Sequence, residues 1–170
     1  KKYKNMDETP IIVVSSDDWH PGVIGIVASK LVEKYYRPSI MITFKEGIGS
    51  GSGRSIAGFN LFDALVSVEG YLETFGGHKY AAGLQILVEY VDLLENELKK
   101  YVKEHTTEDQ FIPPLNIDTN LELFEINNNL LEWLEKFAPF GPGNMRPTFV
   151  TENVMVVGFP YNVGKNHLKL

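Results

Sequence analysis

Nine of the fifteen glycines in this 170-residue chain fall within residues 47–83, GIGSGSGRSIAGFNLFDALVSVEGYLETFGGHKYAAG. Glycine adopts positive φ freely and lets a ligand approach the backbone, so glycine-rich loops can aim several N–H groups at one anion. The stretch sets a lone arginine, Arg54, and a lone histidine, His78, among those glycines. Residues 47–55 hold too much glycine for a plain strand and are expected as a sheet edge or loop. Asn60, with Asp63 three residues on, predicts an N-cap. A short helix should follow, with Leu61, Phe62, Leu65, Val66 and Leu72 at helical spacing. That helix would hold the two glycine loops at a fixed separation, so that both converge on one phosphate-bearing ligand.

Each residue of this site also has a plainer use. Gly-x-Gly runs mark tight turns, and GSGSGR lacks the third glycine of a dinucleotide-binding fingerprint. His78 suits a turn, satisfied by the backbone, as well as it suits a ligand. For Arg54 the plain use is a surface salt bridge. Its guanidinium is nonetheless the side chain best shaped for bidentate phosphate contact, and only two arginines precede residue 100.

Before the glycine stretch, residues 11–16 are a β-branched run typical of a buried strand, followed by SDDWHPG. Pro21 fits the first position of a helix whose apolar face is Ile24, Val27, Ala28, Leu31 and Tyr35. Trp19 and His20 then fall at the carboxyl end of the first strand, where α/β sheets commonly bind ligands. Asp17, Asp18 and His20 have metal-ligand chemistry, but a capping turn accounts for them better. Trp19 is expected to pack. Arg37-Pro38 ends the helix, and residues 39–44 form a second strand parallel to the first.

After it, residues 81–88 read as a strand. A helix follows, with Asp92 and Glu95 as a capping box and Leu94, Leu98, Tyr101 and Val102 as its core stripe. Lys99, Lys100 and Lys103 are expected on its solvated face, and His105 has no assigned role. Residues 107–114 are polar and proline-bearing, which predicts a linker. Apolar and polar residues alternate over 115–123, the period of a half-exposed strand. The Asn-x-Asp-x-Asn spacing at 116–120 lacks the glycine and glutamate of a calcium loop. Residues 127–137 predict a helix burying Leu130, Leu131, Leu134 and Phe137. The stretch APFGPGNMRPTF then forms a rigid corner, and residues 149–159 predict a strand. The sequence ends inside another predicted strand, 166–170, as expected of a fragment whose β-rich domain is unfinished.

The formal net charge is −6, which argues against a protein that coats nucleic acid with a basic surface. Residues 1–88 carry nine basic and nine acidic side chains, and residues 89–170 carry seven and thirteen. Phosphate recognition must then be local, made by a few donors in the neutral first half. The chain has no cysteine, which excludes disulfides and thiolate metal sites and suits a cytoplasmic protein. No run of eighteen apolar residues and no signal-like start is present.

Four stretches, DWHPGVIGIVASKL, GSGRSIAGFNL with Ala57 as an insertion, FGGHKYAAG and PFGPGNMRPTF, together resemble the RecJ family of single-strand-specific DNA exonucleases. The likeness spans nearly the whole chain. It implies an α/β DHH-associated domain, a mixed sheet with flanking helices, over residues 1–106, and the N-terminal part of an incomplete, β-rich OB-like domain over 115–170. In that family a preceding DHH domain holds manganese or magnesium, which activates water for attack on the phosphodiester; this chain contains no such carboxylate cluster. The resemblance implies that Ser52 and Arg54 grip the 5′-terminal phosphate region of single-stranded DNA, with Gly53 and Ser55 in the same phosphate-binding set. Gly76, Gly77 and His78 would contact the phosphate near the scissile bond, and Trp19 and His20 would shape the cleft. Arg54 and His78 would thus assist catalysis without forming a complete catalytic set, and the chain alone would be inactive. Lys30 and Met145 stand where the family often has arginine and proline, and neither touches the implied site. A DHH-type phosphodiesterase of cyclic dinucleotides or short RNA is the nearest alternative, and a non-catalytic nucleic-acid-binding scaffold module is another.

Overall fold

The structure is a computed structural model that describes residues 9–164 and 167–169. Two compact units divide between Pro113 and Pro114. The polar lead-in largely falls outside the described residues, as do Asn166 and Leu170 of the last predicted strand.

The first unit begins with β1 (Ile12–Ser16), α1 (Pro21–Tyr35) and β2 (Ser39–Lys45), and β1 and β2 pair in parallel as the sequence predicts. Pro21 opens α1 at a position with no need of an amide donor, and Tyr36 closes it in the left-handed conformation at φ 47°. Next come β3 (Ile48–Arg54), α2 (Leu61–Val66), β4 (Thr74–His78), β5 (Ala81–Leu87) and α3 (Val91–His105). The five strands form one mixed sheet in the order β1-β2-β3-β5-β4. Among the described residues no helix is long and apolar enough to cross a membrane.

Both glycine segments are strands, which corrects the loop expected at 76–78 and the sheet edge or loop expected at 47–55. The 47–55 segment supplies β3, in the middle of the sheet. Its glycines alternate, and that alternation is itself a strand period. Gly49, Gly51 and Gly53 lie on the core face, where a Cβ would come within 2.8 Å of Ile42, 2.8 Å of Leu84 and 2.7 Å of Leu61. Large side chains of β2, β5 and α2 therefore lie over a bare strand. Packing of neighbours replaces the propensity that β3 lacks. The second segment is β4, at the sheet's edge, joined to β5 by a turn at Lys79 and Tyr80.

The sheet separates two faces. On one, Ile11, Val13, Ile40, Ile42, Leu84 and Ile86 meet Leu61 and Leu65 of α2 and Leu94, Leu98 and Val102 of α3 in the main core. On the other, α1 packs across β2 and β3, with Ile24 and Ala28 buried against Met41. Asn60 caps α2 as predicted: its Oδ1 accepts from the Phe62 and Asp63 amides at 3.1 and 3.4 Å. The capping box expected for α3 does not form. Tyr90 is the cap residue, which places Asp92 inside the first turn, and Glu95 is buried and paired with Lys99 at 2.5 Å. Lys99 is thereby drawn off the solvated face. His105 stacks on Tyr101 with ring centroids 4.0 Å apart. Residues 108–111 form a short 3-10 helix that packs back on this unit, where Arg37 lies over the Phe111 ring and its Nη1 donates to the Phe111 carbonyl at 3.1 Å.

The second unit contains β6 (Thr119–Asn120), α4 (Asn128–Glu135), β7 (Phe149–Val150), β8 (Tyr161–Val163) and β9 (His167–Lys169). The strands are far shorter than the 115–123 and 149–159 predictions. β6 pairs in parallel with β7, and β8 forms a hairpin with β9. Leu131 and Phe137 are exposed at 52% and 58%, contrary to their predicted burial, because no described residue of this unit forms a buried core for them to join. The proline-rich corner is held by Asn144, whose Nδ2 donates to the carbonyls of Phe137 and Pro139 at 2.7 and 3.0 Å.

Candidate nucleic-acid interface

Register brings the two halves of the glycine stretch together. Arg54 pairs with Ala81, and Ala81 with His78, so the three residues share one row across β3, β5 and β4. The next row on the same face is Ser52, Gly83 and Gly76. Neighbouring strands lie about 4.8 Å apart, which separates the Arg54 and His78 backbones by ~10 Å. Helix α1 packs on this face chiefly over β2 and β3. Gly83, Gly76 and His78 are exposed, leaving a shallow shelf of minimal side chains beside the helix.

Two hydrogen bonds tie the shelf's rim together. The Ser55 amide donates to the Tyr80 carbonyl and the Leu61 amide to the Lys79 carbonyl, each at 3.0 Å, locking the β4–β5 turn to the segment after β3. His78 is part of that turn, its Nδ1 accepting from the Tyr80 amide at 3.3 Å. The turn use of His78 is therefore real, and Nε2 is the ring atom left to face a ligand.

Arg54 forms no ion pair among the described residues, so the salt-bridge reading does not hold. Its Nη1 donates to Ser52 Oγ at 3.1 Å and to its neighbour's carbonyl, Gly53 O, at 2.7 Å. Those bonds occupy Nη1 and leave the Nε and Nη2 edge of the guanidinium free of protein acceptors among the described residues. A planar edge with parallel N–H groups matches two oxygens of a phosphate or carboxylate. Ser55 turns away, its Oγ donating to the Phe59 carbonyl at 3.0 Å. The backbone amides of β3 are committed to sheet pairing on both sides. Any anion here is met by side chains and by the outer edge of β4, not by a cradle of loop amides.

The structure does not gather Trp19 and His20 into these rows. They line a separate pocket of about 330 Å³ with Asp18, Val23, Ile24, Val27 and Met41. The Gly22 amide donates to His20 Nδ1 at 3.0 Å, so His20 caps α1. Trp19 packs on the Met41 cluster, and its carbonyl accepts from Thr43 Oγ1 at 2.7 Å. Sequence reasoning missed Gly25. A Cβ there would stand 3.0 Å from Arg54 Nη2 and 3.1 Å from Ser52 Oγ. The available signal was a glycine inside a helical pattern, which costs helix stability and so implies a close approach. Among the described residues no group of three or more His, Asp or Glu side chains is placed to hold a metal ion. The donor set does not fit a divalent cation.

Residues 8–104 match the DHHA1 domain and residues 117–170 match the RecJ OB domain. The chain belongs to the RecJ family. It is 37% identical to the single-stranded-DNA-specific exonuclease RecJ of Bacillus subtilis over 170 residues, covering 98% of this chain and 22% of that protein. Identity to the Thermus thermophilus RecJ is 31%, over 84% of this chain and 20% of the relative. The crystal structure of RecJ from Thermus thermophilus in complex with Mn²⁺ matches with a TM-score of 0.73 and 28% identity, over 87% of this chain and 22% of that one. The complex of the same protein with Mg²⁺ gives a TM-score of 0.72. This RecJ-family chain thus spans about a fifth of the length of these relatives.

Proposed function

We propose that this chain supplies the phosphate-binding lobe of a cytoplasmic 5′ to 3′ single-stranded DNA exonuclease used in repair and recombination. The observation that carries the reading is the pair of rows Ser52–Gly83–Gly76 and Arg54–Ala81–His78. They set an uncompensated guanidinium edge beside a shelf with almost no side chains. In this reading residues 1–106 bind the strand, 107–114 link, and 115–170 begin the OB-like domain. Manganese or magnesium would be held by a DHH domain outside these 170 residues, where it would supply an activated water. The Thermus thermophilus RecJ solved with Mg²⁺ and with Mn²⁺ supports a divalent metal in the full-length enzyme. Arg54, steadied by Ser52, orients the 5′-terminal phosphate region and offsets charge developing on phosphoryl oxygens. His78, with Gly76 and Gly77, approaches the phosphate near the scissile bond.

Gly76→Ala tests the shelf directly. A Cβ at Gly76 meets nothing within 4 Å, so the fold should be unaffected, while a backbone lying against the sheet would meet the new methyl. Affinity of the full-length exonuclease for a 5′-phosphorylated oligonucleotide should fall about fivefold, the worth of one ordinary hydrogen bond. Fluorescence anisotropy in EDTA measures it, and wild-type affinity would remove the strand from this face. The 170-residue chain incubated with manganese should release no nucleotides; measurable digestion would overturn the placement of the metal site elsewhere.

A further inference from the structure

We infer that Gly25, in the interior of α1, is a positioning residue for Arg54. Its lack of a side chain leaves the space in which the phosphate-binding edge of the guanidinium lies. The inference rests on the phosphate-binding reading of Arg54 given above and adds a determinant from a different element.

Three observations converge. Nη1 is anchored to Ser52 Oγ and Gly53 O, both neutral acceptors on β3, so no opposite charge fixes the guanidinium. The group above it is α1, and a Cβ at Gly25 would lie 3.0 Å from Nη2, 3.7 Å from Cζ and 3.1 Å from Ser52 Oγ. All three contacts are to the Arg54–Ser52 pair and none is to backbone. A methyl group would therefore be accommodated by shifts of a few tenths of an ångström in the Arg54 guanidinium and the Ser52 hydroxyl, disturbing the anchored orientation of Arg54 without parting helix from sheet. Nη2 belongs to the guanidinium edge left free for the ligand, so the displaced atom is a ligand-facing one.

Opposite effects on folding and binding follow. Alanine favours a helix interior over glycine, so Gly25→Ala should keep or raise the Tm. The same change should weaken binding of a 5′-phosphorylated single strand by roughly threefold to tenfold, part of one charge-assisted contact. The deciding experiment is a double-mutant cycle in the full-length exonuclease, read by anisotropy, with Gly25→Ala, Arg54→Ala and the double variant. If Gly25 acts through Arg54, its effect disappears once Arg54 is alanine, whereas a general structural role would weaken both backgrounds equally and lower the Tm. Should Arg54→Ala weaken binding while Gly25→Ala does not, or does so equally in both backgrounds, this inference alone falls. Should Arg54→Ala bind as wild type does, the phosphate-binding reading falls and takes this inference with it.

Discussion

Gly77→Ala should destabilise the first unit by about 2–4 kcal/mol, the range for a strained backbone combined with a steric clash. Gly77 has φ 146°, a conformation L residues rarely adopt. A Cβ there would sit 2.3 Å from the Ala81 carbonyl oxygen and 2.6 Å from Ala82 Cα. These are backbone atoms of β5, which is held by β3 on its other side and cannot recoil. Relief must come from β4, the edge strand, and moving β4 carries His78 out of its row with Arg54. Binding of single-stranded DNA should therefore fall together with stability. In a unit of this size each 1 kcal/mol is worth roughly 4–8 °C, so the Tm should drop by about 10 °C or more. Gly76→Ala is the paired control, since the neighbouring position is open. Equal melting of the two variants would show that β4 relaxes without cost and that Gly77 is not needed for its geometry.

The contrast between these adjacent glycines bears on what could be read from the sequence. The β1–α1–β2 unit was legible because its signals are local: a β-branched run, Pro21 at the first helical position, and a crossover long enough for parallel pairing. Asn60 was legible for the same reason, its side chain acting within three residues. β3 was not, because its stability comes from Ile42, Leu84 and Leu61 leaning across from other elements, which local propensity cannot register. The Asp92 and Glu95 spacing fitted a capping box, yet Glu95 faces inward and is satisfied by Lys99, so burial overrode a surface motif. In the second unit, alternation over 115–123 was real but yields only a two-residue pairing with β7, because alternation specifies a face and not a partner. For the candidate site, residue type pointed to the anion-binding chemistry open to Arg54 and His78. Their convergence needed the antiparallel register through β5, and the clearance at Gly25 needed the packing of α1.

Arg54→Ala should reduce affinity for a 5′-phosphorylated single strand by about 10- to 100-fold, since hydrogen bonds to charged groups are worth roughly 1.5–3 kcal/mol. The size of the effect follows from what Arg54 is already doing. Its Nη1 bonds to Ser52 and Gly53 fix the orientation before any ligand arrives, so little side-chain entropy remains to be lost on binding. No carboxylate among the described residues competes for the free edge. Affinity measured against salt separates a phosphate contact from a packing role. Loss of one such contact should lower the slope of log K against log salt by about 0.7 for a single strand. Arg54→Lys should keep most of that slope yet lose affinity, because an ammonium retains the charge without the planar fork. With a 5′-hydroxyl oligonucleotide the penalty of Arg54→Ala should shrink toward unity if the contact is to the terminal phosphate. A penalty that persists undiminished would move Arg54 to an internal phosphate. An unchanged salt slope would mean that the guanidinium, for all its unpaired donors among the described residues, meets no phosphate at all.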